Sequence, residues 1–441
     1  TTATMRIASV LMNRASRLTS RCTLTPAAKL LSSSSVLATS VPIRRTDIST
    51  SLRAYGVSPA IAVRDWSQRD NSHIHLRSET LEDEERTSLI PSHAKRLIEK
   101  GYKLTVEKNP ARIIPDKEYE EAGCEIVPQN LWLNEPQAVP KDTFILGLKY
   151  LCPPDSKWAK DLTCAHRHIY FAHCFKNQKG WRDEMKRFRL GGGEILDLEF
   201  LTDENGRRVA SFGFYAGYAG AALGLAQFYV KQHQLPMLSV TSFPTKKNLL
   251  EFVRGLSPRE YNAETPAAVV IGALGAAGRG ACQFFEDFAN FAKDAPKVQV
   301  SKNDLPEMLA PDSREKLLQH EVLVNCINLQ GPTEPFVSKE SLAAHPRHRL
   351  QTVVDVSCDP SSPYNPLPFY DRETTLKEPA LIQPDLPDVI AVSHLPSLLP
   401  LEASQYFSEL LVPHLLNLNE EGKRDVWNRA AAVYDRVLAE A

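Results

Sequence analysis

Three groups of residues have types and spacings that suit chemistry on a small molecule. Lys149 follows the apolar run Phe144–Leu148, and His173 ends the run Ile169-Tyr-Phe-Ala-His. Both would fall at the carboxyl ends of strands, where doubly wound sheets place reactive groups. A lysine among apolar neighbours has its pKa lowered and can exchange protons near neutrality, and histidine is the natural proton shuttle. A solvated loop lysine fits the same spacing, and the sequence leaves both readings of Lys149 open. Asp197 and Glu199, two apart on an apparent strand, share one face and suit acid–base work or the placing of a cation. Arg208, beside Arg207 after a Glu-Asn-Gly turn, and Arg86 nearer the N-terminus offer planar forks for carboxylates. Each of these charges taken alone also reads as an ordinary surface group. Cys164, His166, His168, His173 and Cys174 crowd together, but their spacing fits no structural zinc pattern, so no metal site is expected.

The third group is a glycine turn. Val269–Ile271 reads as a buried parallel strand running into Gly272, Gly275 and Gly278 and then into a helix. Such a turn lets the backbone approach a pyrophosphate lying on the helix N-terminus. The spacing is G-x-x-G-x-x-G rather than G-x-G-x-x-G, and a Gly/Ala-rich turn without a ligand is the alternative.

The elements that must position these residues alternate. Strands are expected at Ile74–Leu76, Tyr102–Val106, Glu125–Val127, Phe144–Leu148, His168–Cys174 and Ile195–Phe200, with helices at Ser92–Gly101 and Glu118–Cys124. Further strands are expected at Gln299–Val300, Val322–Cys326 and Thr352–Val356, after a polar connection over Glu251–Pro266. This rhythm predicts an α/β protein with parallel, doubly wound sheets. Phe212–Val230 carries no charge over 19 positions, yet its aromatic residues and four spaced glycines suit a buried helix better than a lipid-facing one. Glu402–Ala441 is helical in pattern. The division expected is residues 72–211 plus 402–441 for one lobe and 212–401 for a second, dinucleotide-binding lobe.

Eight of the 52 basic side chains but only one of the 53 acidic ones precede residue 57. Residues 1–56, rich in Ser, Thr, Ala and Arg, have the composition of a mitochondrial or plastid transit peptide, with a disordered tail as the alternative. The rest is mildly acidic, which gives no support to nucleic-acid binding. Eight scattered cysteines without a CxxC suit reduced thiols in an intracellular compartment.

Taken in order, the motifs form a series. Gly147-Leu148-Lys149, Phe171-Ala172-His173-Cys174 and Asp197-Leu198-Glu199-Phe200-Leu201 are followed by Gly206-Arg207-Arg208-Val209-Ala210 and Phe212-Gly213-Phe214-Tyr215-Ala216-Gly217. Ile271-Gly272-Ala273-Leu274-Gly275, Val353-Val354-Asp355-Val356-Ser357 and His394-Leu395-Pro396-Ser397-Leu398-Leu399-Pro400 complete it. From about His75 to Phe407 the chain resembles the lysine-forming, NAD-dependent saccharopine dehydrogenases, relatives of alanine dehydrogenase. The resemblance implies two Rossmann-like lobes with the active site in the cleft between them. It implies reversible oxidation of saccharopine through an imine to lysine and 2-oxoglutarate by a monomer, while the composition of residues 1–56 points to the mitochondrial matrix and the reading of Phe212–Val230 to no membrane span. By the same resemblance Lys149 takes the amine proton, His173 handles protons during imine hydrolysis, and Glu199 tunes both. Arg86 and Arg208 hold substrate carboxylates. Gly272, Ala273, Leu274, Gly275, Gly278, Cys326, His394 and Leu395 hold the cofactor.

The series departs from the family in places. Tyr150 stands where the family carries Glu, Ser393 where an Asp often precedes the histidine, and Ala277 where some relatives have a cysteine that could pair with Cys326. The ribose-binding acid expected after the second Rossmann strand is missing from Val300-Ser301-Lys302-Asn303, a sequence that could admit NADP. Tyr150, Lys302 and Ser393 support an alternative, a dehydrogenase fold kept as a non-catalytic subunit of a mitochondrial assembly.

Overall fold

The computed structural model describes residues 72–441 except 82–83, 153–160, 177, 179, 236–238, 259–265, 311, 330 and 421–424. The transit segment expected over residues 1–56 lies outside the described residues, as does most of the connection before Pro266. Six strands, β1 (His73–Leu76), β2 (Lys103–Glu107), β3 (Glu125–Val127), β4 (Phe144–Leu146), β5 (Arg167–Tyr170) and β6 (Glu194–Asp197), form one sheet in the order β3-β2-β1-β4-β5-β6. Five more, β7 (Ala267–Ile271), β8 (Gln299–Asn303), β9 (Val322–Asn325), β10 (Thr352–Asp355) and β11 (Asp388–Ile390), form a second sheet in the order β11-β10-β9-β7-β8. All pairings within both sheets are parallel. Strands β1, β4, β9 and β10 are buried along their whole length, because helices cover both faces of such sheets. These are two doubly wound α/β lobes. Each reverses its strand order once, at β1/β4 and at β7/β9, and opens a crevice there.

Eight helices matter for the site: α1 (Pro91–Glu99), α2 (Asp116–Glu121), α3 (Trp181–Gly191), α4 (Gly213–Gln232), α5 (Lys246–Leu256), α6 (Ala276–Phe291), α7 (Pro400–Leu415) and α8 (Asp425–Glu440). Phe407, Leu411, Val412, Leu415 and Trp427 of α7 and α8 are buried in the core of the first sheet. Helix α4 is buried from Gly217 to Val230 in the core of the second. Among the described residues no helix is long and apolar enough to cross a membrane.

Several element ends differ from expectation. Helix α1 begins at Pro91 rather than at a Ser92 cap, because proline needs no N–H partner in the first turn. Strands β4, β5 and β6 stop two to four residues early, and Lys149, His173 and Glu199 stand in the turns beyond them. The start of the expected Glu251–Pro266 connection is helical, completing α5. The C-terminal stretch is two helices. Strand β11 escaped notice, being three residues long and preceded by Pro387.

The glycines of α4 set how closely the helices approach. A Cβ on Gly217 would stand 1.7 Å from the Ala277 carbonyl oxygen, and one on Gly280 would stand 1.8 Å from that of Phe214. The backbones of α4 and α6 therefore touch directly, which holds the start of the glycine-turn helix in place. Gly217→Ala should lower stability by about 2–3 kcal/mol, since backbone must move to admit the methyl group. Gly255→Ala, with nothing within 4 Å of its Cβ position, should raise stability by about 0.5–1 kcal/mol through helix propensity. Urea midpoints of the two variants check this pair of opposite signs.

Candidate active site in the interlobe crevice

Lys149 is held by its backbone before its side chain does anything. The carboxyl of Glu79 accepts the N–H groups of Leu148 (2.8 Å) and Lys149 (2.9 Å). Arg77 donates to the Lys149 carbonyl and stands 3.5 Å from Glu79. The Arg77 side chain fills the space a Cβ on Gly147 would need, with Nε 2.3 Å from that position, so only glycine fits between β4 and the lysine. Burial, and then the Arg86 charge, push the Lys149 ammonium below its usual range, while Glu84 and Glu79 pull it back. Tyr150, the next residue, leaves its ring partly exposed, and its carbonyl accepts from Thr80.

His173 follows β5 with φ +50°, a left-handed conformation that a non-glycine residue holds only when its surroundings impose it. Its Nδ1 is 3.9 Å from Glu199 Oε2. Burial and the neighbouring Lys149 charge hold its pKa below the ordinary histidine value, and Glu199 opposes them. Glu199 Oε1 accepts from Lys176 Nζ (2.7 Å) and Arg208 (3.0 Å), so its carboxyl stays low despite burial. Lys176 passed unnoticed in the sequence, because a lysine in a polar turn carries no signal. Asp197 and Glu199 do not share a face as expected. Asp197 ends β6 and is fully buried, and Glu199 lies in the following turn.

Arg86 and Arg208 reach the same region differently. Arg208 is partly exposed and lightly held by Glu199. The Arg86 guanidinium is 3% exposed and engaged by both oxygens of Glu84 at 2.7 and 2.6 Å. It also lies over the Phe212 ring, 4.6 Å from its centroid. Glu84 engages Nε and Nη2 of that fork and leaves Nη1 to other acceptors.

The second lobe presents the glycine turn at its own switch point. Gly272 has φ +83°, and a Cβ there would meet Ile327 and the Cys326 backbone. Gly278 would place a Cβ 1.9 Å from the Gly272 carbonyl oxygen, so the turn folds onto its own helix only with glycine. No side chain caps α6, whose N-terminus is free for an anion. Leu274 is 80% exposed at the tip of the turn, whereas Ala273 and Leu395 are buried in the core. Burial raises the Cys326 thiol, and Cys326 is a free cysteine. An acid stands one residue beyond Val300–Asn303, and its carboxyl caps the short helix Leu305–Met308. Asp304 follows β8 directly, and its Oδ2 accepts the Leu274 N–H at 3.2 Å. Lys302 is ion-paired with Glu286 of α6 at 3.5 Å, and Ser301 hydrogen-bonds His320. His394 is shifted downward by burial, then by the Lys149 and Arg86 charges of the other lobe. Ser393 beside it is exposed. Among the described residues no cluster of His, Cys, Asp or Glu could hold a metal ion.

Two doubly wound lobes with a cationic crevice and a glycine turn at one switch point define a dehydrogenase of the alanine dehydrogenase type. The alanine dehydrogenase/PNT N-terminal domain family matches over residues 75–219. An L-alanine dehydrogenase shares the fold, with a TM-score of 0.56 at 16% identity over 82% of this chain and 93% of that one. Saccharopine dehydrogenase [NAD(+), L-lysine-forming] of Candida glabrata is 40% identical over 380 residues, 83% of this chain and 97% of its own. The Neurospora crassa enzyme of the same name is 39% identical over 374 residues, 83% of this chain and 96% of its own. The chain belongs to the L-lysine-forming saccharopine dehydrogenase family.

The electrostatics of Lys149 give a signed expectation. Glu84 raises the Lys149 pKa, so Glu84→Gln should lower it further. Competitive labelling of Lys149 by an amine reagent, followed by mass spectrometry across pH, should show its midpoint moving to lower pH. An unmoved or rising midpoint would contradict this account of the site.

Proposed function

We propose that the chain oxidises saccharopine with NAD and hydrolyses the resulting imine, so that saccharopine, NAD and water give lysine, 2-oxoglutarate, NADH and a proton. The observation that carries this reading is the convergence on one crevice of Lys149, His173, Lys176, Arg208 and Arg86 from the first lobe with His394 from the second. A substrate with several carboxylates needs such cations, and relatives at 37–40% identity carry the saccharopine dehydrogenase name.

NAD, when bound, accepts a hydride from the carbon bearing the secondary amine. Lys149, its ammonium pKa lowered by burial and Arg86, takes the amine proton as the carbon–hydrogen bond breaks. His173, its pKa held below the ordinary histidine value, takes a proton from the water that attacks the imine carbon and returns it to the leaving amine. Glu199 lies beside His173 and steadies the imidazolium when it forms, while Lys176 and Arg208 keep that carboxylate charged. Arg86 and Arg208 hold substrate carboxylates. Gly272, Gly275 and Gly278 give the pyrophosphate its cradle. Asp304, beside the glycine turn, would meet the ribose of a bound dinucleotide, and its charge would disfavour a 2′-phosphate, which supports NAD over NADP.

The matrix of the mitochondrion is proposed as its location, on the composition of residues 1–56. A fluorescent protein fused behind residues 1–71 should enter mitochondria, and a diffuse cytosolic signal would count against it.

Purified full-length protein mixed with lysine, 2-oxoglutarate and NADH should consume the nucleotide. Lys149→Met should lower kcat by about 100-fold or more, the usual cost of a lost general base. No consumption, or an undiminished Met variant, overturns the reading. In the same assay Asp304→Ala should raise KM for NADH about tenfold, as expected for lost ribose hydrogen bonds, and narrow the preference over NADPH.

A further inference from the structure

We propose that Asp197 is the positioning residue of this site, holding the backbones that carry His173 and Glu199 in register from beneath without touching substrate. The inference rests on the saccharopine reading above. Asp197 is the last residue of β6, opposite Tyr170 of β5, and is 0% exposed. Beyond the Leu198 N–H to Tyr170 carbonyl bond (3.0 Å), both chains leave the sheet, one toward His173 and the other toward Glu199. The Asp197 carboxyl sits where they part. Its Oδ1 accepts the Glu199 N–H at 2.8 Å, and the Ala172 N–H, one residue before His173, is near enough to the same carboxyl to favour its charge. One buried group thus borders both catalytic turns.

Two observations give this arrangement a function rather than a mere packing role. His173 has a left-handed backbone at φ +50°, which its surroundings must impose, and the Asp197 carboxyl close to Ala172 is part of those surroundings. Asp197 Oδ2 is buried with no partner of hydrogen-bond geometry among the described residues, so the carboxyl is an expense in stability. Burial and Glu199 push its pKa up to about 7, against the pull of Arg208, and Cys174 is the other titratable group beside it. Near neutrality it therefore exists in both protonation states, and Oδ1 accepts in either. The acceptor, rather than the charge, is what the two turns use.

The test compares the full-length enzyme with Asp197→Asn and Asp197→Ala, following saccharopine oxidation, NADH binding and Tm. Asn keeps an acceptor at Oδ1 and should hold kcat within about threefold. Ala removes it and should lower kcat about 30-fold or more with saccharopine KM and NADH Kd changed less than about threefold, as for catalytic groups displaced by less than an ångström. A merely structural role would lower Tm and leave kcat per NADH-binding site unchanged in both variants. That result, or an Asn variant impaired more than tenfold, overturns the proposal. If the Ala variant does not fold, Asn decides alone: kcat preserved through a pH profile from 6 to 9 supports the acceptor role, and a tenfold loss refutes it. An unmodified enzyme that binds NADH but leaves saccharopine unchanged brings down the functional reading as well, whereas an active enzyme with an undiminished Ala variant brings down only the role of Asp197.

Discussion

The placement of Lys149 depends on a buried pair, Arg77 and Glu79, that never needs to meet a substrate. Glu79 accepts the two consecutive N–H groups that β4 leaves unpaired at Leu148 and Lys149, and Arg77 returns to the Lys149 carbonyl. At a switch point the neighbouring strands diverge and strand-end polar groups lose their ladder partners, so something must satisfy them or water will. Here a side-chain pair does, and it leaves room only for Gly147. The lysine is thereby fixed by its main chain, and its side chain is left to be tuned by burial and the charges around it.

That tuning is a balance of signs. Lys149, Arg86, His173, Lys176, Arg208 and His394 crowd one crevice, and without a ligand their mutual repulsion is relieved by Glu84 on Arg86 and by Glu199 on Lys176 and Arg208. Two of these cations, Arg86 and Arg208, already hold anions belonging to the protein. The lowered pKa values of Lys149 and His173 belong to the same balance: burial leads in both, Arg86 adds to it at Lys149 against Glu84 and Glu79, and Lys149, Arg208 and Lys176 add to it at His173 against Glu199.

Much of this was legible in the sequence. The β-branched run before Gly272 identified a strand, a turn and a helix because each residue type there answers to local backbone geometry. Lys149 and His173 were legible as strand-end residues for the same reason. What was not legible depended on small displacements or distant partners. No acid is legible at the strand end within Val300–Asn303, because β8 extends to Asn303 and places Asp304 against Leu274, and nothing local marks where a strand will end. Asp197 and Glu199 looked like a pair by period two, yet β6 ends between them and sends one inward and one into the crevice. The engagement of Arg86 by Glu84 across a single intervening residue was equally hidden, because it depends on the backbone turn and on Phe212, far along the chain.

Phe212 also ties recognition to the connection between the lobes. It directly precedes α4 of the second lobe, stacks on Phe407 of α7 at 4.3 Å, and carries the Arg86 guanidinium on its other contact. Helix α7 itself leaves the second lobe at Leu399 and packs into the first, where Ser404 and Ser408 accept the Thr87 and Ile90 N–H groups. The segment Glu84–Ile90, which contains Arg86, is thus fastened to the chain that returns from the cofactor lobe, and Ser242 donates to Glu85 at 2.6 Å from the other side. The junction between the lobes at Arg86 is thus built of packed rings and short hydrogen bonds.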